Sequence, residues 1–290
     1  MRHAYLILAH NEFALLELLV SCLDDSRNDI YIHFDKKVPV LPEIHTRKST
    51  LTVLKDRIDV RWGAPSMLEA EYALFSTASE HGPYQYYHLL SGVDLPLKSQ
   101  DFIHAFCDRH DGDEFIGYTW TEMPPEFRRK VQCWHLFPED FKSKNHVKRA
   151  LRAGFLRLQE GLGLYRNKDV DFKKGSQWVS VTEGMAQYFL SRIDWVRKTF
   201  RNTFCCDELV WQTLCWMSPY RNRIHSLESD GAGCMREIGW RENPGSKEWI
   251  LKDWSAEDFD CLKDSPALLA RKFNSHDMAF IQQVLELSKA

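Results

Sequence analysis

The chain has 290 residues, 44% of them hydrophobic and 27% charged, which is the composition of an ordinary globular protein. A formal net charge of -3 argues against a nucleic-acid binder, because such proteins carry a basic footprint. No apolar run approaches the roughly 20 residues of a membrane span, and the stretch from Ala4 to Ala9 is too short for a signal peptide. Eight cysteines without a C-x-x-C pair predict reduced thiols and a cytoplasmic location.

The first half of the chain alternates strand and helix patterns. Continuous apolar runs predict strands, and apolar residues at intervals of three or four predict helices. The predicted strands cover residues 4–8, 30–34, 59–62, 84–90 and 114–118. The predicted helices cover 12–23, 66–81 with a capping box at Ser66 and Glu69, and 100–109 with an N-cap at Ser99. This alternation predicts an α/β fold with a mostly parallel central sheet flanked by helices.

The second half is less regular. Between residues 128 and 174 basic side chains outnumber acidic ones, and we expect a loop-rich insertion with one helix over 145–162. A solvated face is the simpler interpretation of this basic segment, and an anion-binding face is the alternative. Beyond it we predict a strand over 177–181, a helix from Thr182 to 198, a helix over 207–216 and a last helix over 276–287. No repeat or linker interrupts the chain, so a single domain is expected.

Polar residues follow three of the predicted strands, at the edge where parallel sheets bind their ligands. They are His10 and Asn11 after the first strand, Asp35 after the second, and Asp94 after the strand over 84–90. A carboxylate such as Asp35 can accept from both ribose hydroxyls of a nucleotide, although strand-end acids are also common as caps and turn residues. Asp94 has no second ligand at metal spacing, so no metal site is predicted there.

A transferase without a metal needs cations to neutralise its leaving diphosphate. Arg271 and Lys272 stand just ahead of a predicted helix, where positive charge is slightly unfavourable, and this small cost favours a functional role. Arg236 and Lys252 are two further candidates. An exposed basic pair without a function is the alternative interpretation.

Glu208 follows Asp207, which we predict as the N-cap of the helix over 207–216. In the first turn of that helix, the dipole and the free N–H groups would keep the Glu208 carboxylate ionised. A fixed, ionised carboxylate is what a general base needs to take a proton from a sugar hydroxyl. Acids are also common in first turns for stability alone, so the spacing leaves both interpretations open.

Nine segments, taken in order, resemble the core-2/I-branching enzyme family, glycosyltransferase family 14, which also includes the peptide xylosyltransferases. The resemblance covers nearly the whole chain. The segments are AYLILAHNE, IYIHFDKK, VRWGAPSMLEAE, YHLLSGVDLPLKS, DEFIGY, WHLF, KGSQWVSVT, CDELVWQTL and LLARKF.

The resemblance implies a single GT-A type, Rossmann-like glycosyltransferase domain over residues 1–290. Its nucleotide-binding half would be 1–125 and its acceptor and catalytic half 126–290. It also implies inverting transfer from a UDP-sugar, usually UDP-GlcNAc, to a glycan hydroxyl with neither metal nor cofactor. Animal members carry membrane anchors and disulfides, which this sequence does not show. We therefore expect a bacterial enzyme of surface polysaccharide synthesis, cytoplasmic or peripheral to the inner membrane.

Individual roles follow from the resemblance. The family's catalytic base falls on Glu208, although Cys205 and Cys206 replace the Ser-Pro that precedes it in the family motif. The diphosphate-binding Lys falls on Lys272, with Arg236 or Lys252 as its partner. The remaining matches are Asp35 and Trp62 on the nucleoside side, and Glu122 and Trp240 on the acceptor side.

Three other interpretations stay open. One is a transferase of UDP-xylose or another UDP-sugar, and the second is a catalytically dead protein that binds carbohydrate. Retention of Glu208, Lys272 and Asp35 together counts against a dead fold. The third, a dinucleotide-dependent oxidoreductase, is disfavoured because no G-x-G-x-x-G follows the first strand.

The expected acceptor is a glycan or a lipid-linked oligosaccharide. The basic segment would either cover the acceptor groove or meet an anionic lipid-linked acceptor at the membrane surface. Lys148, Arg149 and Arg152 are the residues expected to make that contact.

Overall fold

The computed structural model describes residues 1–124, 127–140, 144–244 and 249–289. Its strands are β1 (His3–Ala9), β2 (Asn28–Phe34), β3 (Thr50–Val53), β4 (Tyr86–Ser91), β5 (Leu95–Pro96), β6 (Ser180–Thr182), β7 (Arg236–Ile238), β8 (Trp240–Glu242), β9 (Trp249–Leu251) and β10 (Leu269–Arg271). The central sheet has the order β3-β2-β1-β4-β6, in which β6 alone is antiparallel to its neighbour. This confirms the predicted mostly parallel sheet.

Helices cover both faces of that sheet. They are α1 (Phe13–Leu23), α2 (Ser66–Ser79), α3 (Gln100–Arg109), α4 (Arg128–Gln132), α5 (His146–Gly161), α6 (Glu183–Ser191), α7 (Ile193–Phe200), α8 (Val210–Trp216), α9 (Asp230–Cys234), α10 (Phe259–Asp264) and α11 (Met278–Leu287). The core on one face contains α2, α6 and α8, and the core on the other contains α1, α3 and α11.

The all-apolar pattern of β1 explains why two cores form. Leu6 and Leu8 pack in the core with α2, whereas Tyr5 and Ile7 pack in the core with α1. Because successive side chains of a strand point to opposite faces, a strand buried on both faces needs apolar residues at every position.

A small sheet, in the order β5-β10-β7, continues the molecule beyond β4. Its strand β10 runs antiparallel to β5 and parallel to β7, so it brings the C-terminal residues Leu269–Arg271 beside the segment that follows β4. The hairpin of β8 and β9 lies between β7 and β10 in the sequence and presents Trp240.

Two predicted strands are wrong. Residues 59–62 form a loop, where the Asp59 carboxylate accepts from Lys37 and Arg61, and the edge strand of the sheet is β3 instead. Residues 114–118 contribute only single bridges, from Glu114 to Ile224 and from Phe115 to Ser180. Both errors have one cause, because short apolar patterns do not reveal whether a partner strand lies alongside.

The helix starts were predicted with mixed success. Ser99 and Thr182 cap α3 and α6 through their hydroxyls, as expected. The capping box before α2 is wrong, because the Ser66 hydroxyl accepts from the Arg61 N–H and Glu69 pairs with Arg197. The helix predicted from Thr182 is two helices, α6 and α7, separated at residue 192.

All eight cysteines lie in the described ranges and are free thiols. Within those same ranges, no helix combines the length and the apolar character that a bilayer crossing requires.

Candidate active site

A cleft of about 630 Å³ opens where the parallel strands end. His10 and Asn11, directly after β1, and Ser91, the last residue of β4, form the strand-end wall. The other walls come from segments that return to this edge, and we call residues 174–178, 207–208 and 271–274 the returning segments. Ligand sites of open parallel sheets lie at this edge, so the cleft has the position expected for a substrate site.

Glu208 lies in the cleft with its side chain 39% exposed, and its Oε2 is 3.0 Å from Lys174 Nζ. The predicted helix start is wrong here. Cys206–Glu208 form a 3₁₀ turn, α8 begins at Val210, and no side chain caps α8. The positive charge beside Glu208 therefore comes from Lys174. The sequence analysis predicts that it comes from the N-terminus of a helix.

Asp207 is the second acid of the same turn and also lines the cleft. Its Oδ1 has no hydrogen-bond partner among the described residues. Desolvation and the neighbouring charge of Glu208 raise the pKa of Asp207 to about 7. Below that pH the protonated form of Asp207 lowers the negative charge of this turn.

The Glu208 turn is docked against the loop that carries Trp62. Cys205 has a left-handed backbone, φ 53°, and its N–H donates to the Gly63 carbonyl at 2.8 Å. Gly63 has φ +70°, and a Cβ there would lie 2.6 Å from the Phe204 ring, so glycine is needed on both counts. Trp62 lines the cleft and stacks edge-on with Phe204, with ring centroids 5.6 Å apart.

Contacts at Gly175 and at Gln177 fix the strip of residues 174–178 in the wall of the cleft. The Gly175 N–H donates to the Glu208 carbonyl at 3.0 Å, and a Cβ on Gly175 would lie 1.9 Å from the Gly117 carbonyl oxygen. Only glycine allows this approach, and the approach brings Lys174 to Glu208. The sequence analysis missed Lys174, although the K-G-S-Q-W segment that contains it is one of the nine family-like segments.

A buried acid holds the far side of that strip. Glu71 on α2 accepts from Gln177 Nε2 at 2.8 Å and from Trp211 Nε1 at 2.9 Å. Burial raises the pKa of Glu71 to about 8. The carboxyl group thereby ties α2, α8 and the wall of the cleft together.

Arg271 and Lys272 bring two cations to the cleft from β10. Arg271 Nε lies 3.2 Å from Asp94 Oδ1, and its guanidinium lies 4.3 Å from the centroid of the Trp178 ring. Lys272 Nζ lies 3.5 Å from Asp253 Oδ1. Both predicted cations therefore line the cleft, and their role on a diphosphate stays a prediction.

Asp94 has a different place from the one predicted. It is only 1% exposed and does not line the cleft, so it cannot be the donor contact expected from its strand-end position. Its carboxylate accepts from the Ser91 N–H at 3.0 Å and from the Ser91 hydroxyl at 2.6 Å, in addition to Arg271. Asp94 is a positioning residue that holds Arg271.

Arg236 and Lys252 also do not reach the cleft, which corrects their predicted role on the diphosphate. Arg236 is buried, and its guanidinium donates to the Val179 carbonyl at 2.9 Å and to the Ser180 hydroxyl at 3.0 Å. Lys252 Nζ is 2.5 Å from Asp258 Oδ1. Sequence spacing could not distinguish these cations from Arg271, because only the pairing of β10 with β5 decides which one faces the ligand.

Two predicted acids lie outside the cleft lining as well. Asp35 is buried after β2, where its carboxylate accepts from the Lys37 N–H at 2.8 Å and from Lys37 Nζ at 2.7 Å. Glu122 lies in a separate shallow depression with Lys173 and Trp216. Trp240, in contrast, is 49% exposed and lines the cleft, as expected for an acceptor-side residue.

Candidate metal ligands cluster elsewhere. Among the described residues, His3, His88 and Cys107 form one group, and His110, Asp113 and His225 form another. Neither group lines the cleft. Metal independence of the site stays a prediction.

Comparison with known proteins identifies the family of the chain. Residues 3–263 match the family model of the Core-2/I-Branching enzymes. The chain belongs to this family. It is thus a member of a glycosyltransferase family, and the resemblance carried by the nine segments is confirmed.

Among curated relatives, xylosyltransferase 1 of Pan troglodytes and of Homo sapiens are each 22% identical to this family member over 304 aligned residues. Each alignment covers 94% of this chain but 29% of the relative. The chain therefore spans less than a third of the length of these relatives.

Solved structures give distant matches. S. aureus TarS 1–349 matches 77% of this chain and 74% of its own at 9% identity and a TM-score of 0.27. Mouse xyloside xylosyltransferase 1 in its apo form matches 74% of this chain and 82% of its own at 7% identity, also with a TM-score of 0.27.

Proposed function

We propose that this family member is a metal-independent inverting glycosyltransferase that moves a sugar, GlcNAc from UDP-GlcNAc in the first instance, to a glycan hydroxyl. One observation carries the proposal. The carboxylate of Glu208 and the cations Arg271 and Lys272 line a single cleft at the strand ends. An acid that can take a proton and cations that can receive a diphosphate are the two groups that such a displacement requires.

The reaction follows from these groups. The acceptor hydroxyl gives its proton to Glu208 while its oxygen forms a bond to the anomeric carbon of the donor. The bond from that carbon to the diphosphate oxygen breaks, and UDP leaves with the electron pair. Attack opposite the leaving group converts an α-linked donor into a β-glycoside.

Lys174 and Asp207 have supporting roles in this proposal. Lys174, 3.0 Å from Glu208, orients the carboxylate. The neutral form of Asp207 avoids a second negative charge near the departing diphosphate. Trp240 offers the acceptor sugar an aromatic face, and Trp62 offers one to the donor nucleoside.

A second donor is favoured by one finding. The relatives named above are xylosyltransferases, so UDP-xylose is the alternative donor. A glycan or a lipid-linked oligosaccharide in bacterial surface polysaccharide synthesis is the proposed acceptor.

The test is calorimetric titration of UDP, UDP-GlcNAc and UDP-xylose, each in excess EDTA and again with Mn²⁺, with GDP-mannose as the control nucleotide sugar. We expect binding of the uridine nucleotides that is the same with and without metal. The sugar that binds more tightly than UDP identifies the donor.

Two results would contradict the proposal. Binding that appears only with Mn²⁺ would mean that the cleft acids hold a metal and that the cation pair is insufficient. Binding of none of the uridine nucleotides would favour a dead fold. Release of UDP in the presence of an acceptor would exclude the dead fold directly.

A further inference from the structure

Helix α5 turns its polar side chains toward the protein. Arg152 and Gln159 are both buried. The Arg152 guanidinium donates to the carbonyls of Leu136 and Asp140, each at 3.2 Å, and the Gln159 amide exchanges hydrogen bonds with the Trp134 backbone. These bonds, together with the buried Leu156, attach α5 to the segment before it.

Most of the large apolar side chains of α5 point to solvent instead, and Leu156 is the buried exception. Val147, Leu151, Leu158 and the C-cap Leu162 are 68%, 54%, 57% and 62% exposed. They are separated by four, seven and four residues, which places them on one stripe of a helix. A helix that only needed to be dissolved in water would have the opposite arrangement.

Basic residues lie at one flank and at the N-terminal end of this stripe. Arg157 is exposed on the flank and Lys144 just before α5, whereas Arg149 is exposed on the opposite side of the helix. Residues 128–174 contain 13 Lys and Arg but 5 Asp and Glu, so the region is cationic although the whole chain is slightly acidic. One of those acids, Glu160, is bound by Arg129. Residues 141–143 lie outside the described part of this segment.

We propose that the exposed stripe of α5 docks on an anionic lipid bilayer, lying in the plane of the headgroups. An apolar stripe with a cationic border is the combination that binds helices to anionic membrane surfaces. The border also argues against a second copy of the chain, because a two-fold contact through this face would bring the same positive charges together.

The structure assigns this role to a different set of residues from the sequence. Lys148 is paired with Asp140 at 2.5 Å, and Arg152 is buried. Of the three basic residues predicted to meet an anionic acceptor, Arg149 alone is exposed.

The docking surface is connected to the cleft. Glu139, in the segment on which α5 packs, accepts from the Ser66 hydroxyl at 3.0 Å, at the start of α2 and close in sequence to Trp62. Docking through α5 would therefore hold the Trp62 side of the protein near the bilayer, where a lipid-linked acceptor is presented. The proposed contact with the bilayer does not depend on which nucleotide sugar is the donor.

The test is co-sedimentation of the full chain with vesicles of phosphatidylcholine alone or mixed with phosphatidylglycerol. We expect binding to the mixed vesicles that weakens as salt is raised. The double variant Leu151→Glu/Leu158→Glu should lower the partition coefficient by roughly tenfold or more. The matched control is Val40→Glu/Leu227→Glu, whose exposed positions lie away from α5 and whose binding should equal that of the wild type.

A second variant, Lys144→Glu/Arg157→Glu, keeps the stripe and reverses the charge of its basic neighbours, and it should lose the preference for phosphatidylglycerol. Circular dichroism and UDP binding report whether each variant is folded with an intact cleft. Equal vesicle binding by the wild type and both α5 variants would overturn the proposal. So would a dimer, seen by sedimentation velocity, that Leu151→Glu/Leu158→Glu dissociates.

Discussion

The strand-end wall of the cleft and its returning segments are built in different ways. His10 and Asn11 follow a fully buried strand whose pairing with β2 and β4 fixes where it ends. Lys174 lies on a loop, Glu208 on a 3₁₀ turn and Lys272 directly after a three-residue strand, and long-range contacts fix each of them. The sheet thus locates the site, whereas the returning segments supply its charged groups.

This difference matters for the chemistry. The reaction needs a carboxylate and two cations at fixed positions around one substrate, and a small displacement of any of them costs much of the rate. The contacts of Gly175, Glu71 and Asp94 hold these groups in position. Variants of the charged groups and of these supports therefore test this difference between the walls.

The variant Glu208→Gln should lower kcat by roughly 10²- to 10⁴-fold, the usual contribution of a general base. UDP affinity should stay near that of the wild type, because the carboxylate is not on the diphosphate. Steady-state kinetics and calorimetry measure the two quantities, and Glu228→Gln, an exposed acid away from the cleft, is the control. Wild-type turnover in Glu208→Gln would remove Glu208 from the reaction.

The variant Glu71→Gln tests a support of the returning segments through pH. The pKa of Glu71 is raised from 4.5 to about 8, so the wild-type carboxyl contributes stability that is complete below pH 4.5 and is lost as pH rises through about 8. Glutamine does not titrate. Between pH 5 and pH 8 the free energy of unfolding of the wild type should therefore fall, relative to the variant, by about 3 to 4 kcal/mol.

Urea denaturation of both proteins at several pH values measures this difference. Other titrating groups are common to the two proteins and cancel in the comparison. A difference that does not change with pH would mean that Glu71 is ionised in the native state.

The variant Asp94→Asn tests a contact that joins the two kinds of wall. Its amide would keep the shape of the turn but lose the charge that holds Arg271 Nε at 3.2 Å. We expect the KM for the donor to rise about tenfold with a smaller change in kcat, because the loss is one charge-assisted hydrogen bond to a positioning group. An unchanged KM would show that Arg271 is positioned by Trp178 alone.

The same contrast explains what the sequence could predict. Apolar periodicity located β1, β2, β4 and their polar strand ends, because these elements are regular and buried on both faces. Periodicity said nothing about which of Arg236, Lys252 and Arg271 faces the cleft, since that depends on the pairing of β10 with β5. The family resemblance singled out Glu208 and Lys272, but it did not identify Lys174.

The inverted polarity of α5 was missed for a related reason. The sequence shows leucines and basic residues at helical spacing, which normally means that the leucines are buried. Only the hydrogen bonds of Arg152 and Gln159 to neighbouring backbone groups show that the helix packs by its polar side.

The most direct test of the account is UDP titration of the wild type, Lys272→Ala and Lys252→Ala by calorimetry. Both lysines stand near the end of the chain, but Lys272 lines the cleft and Lys252 is paired with Asp258 outside it. We predict that Lys272→Ala weakens UDP binding by roughly tenfold or more, whereas Lys252→Ala changes it by less than about twofold. Equal losses in the two variants, or a loss in Lys252→Ala alone, would contradict the assignment of this cleft as the nucleotide-diphosphate site.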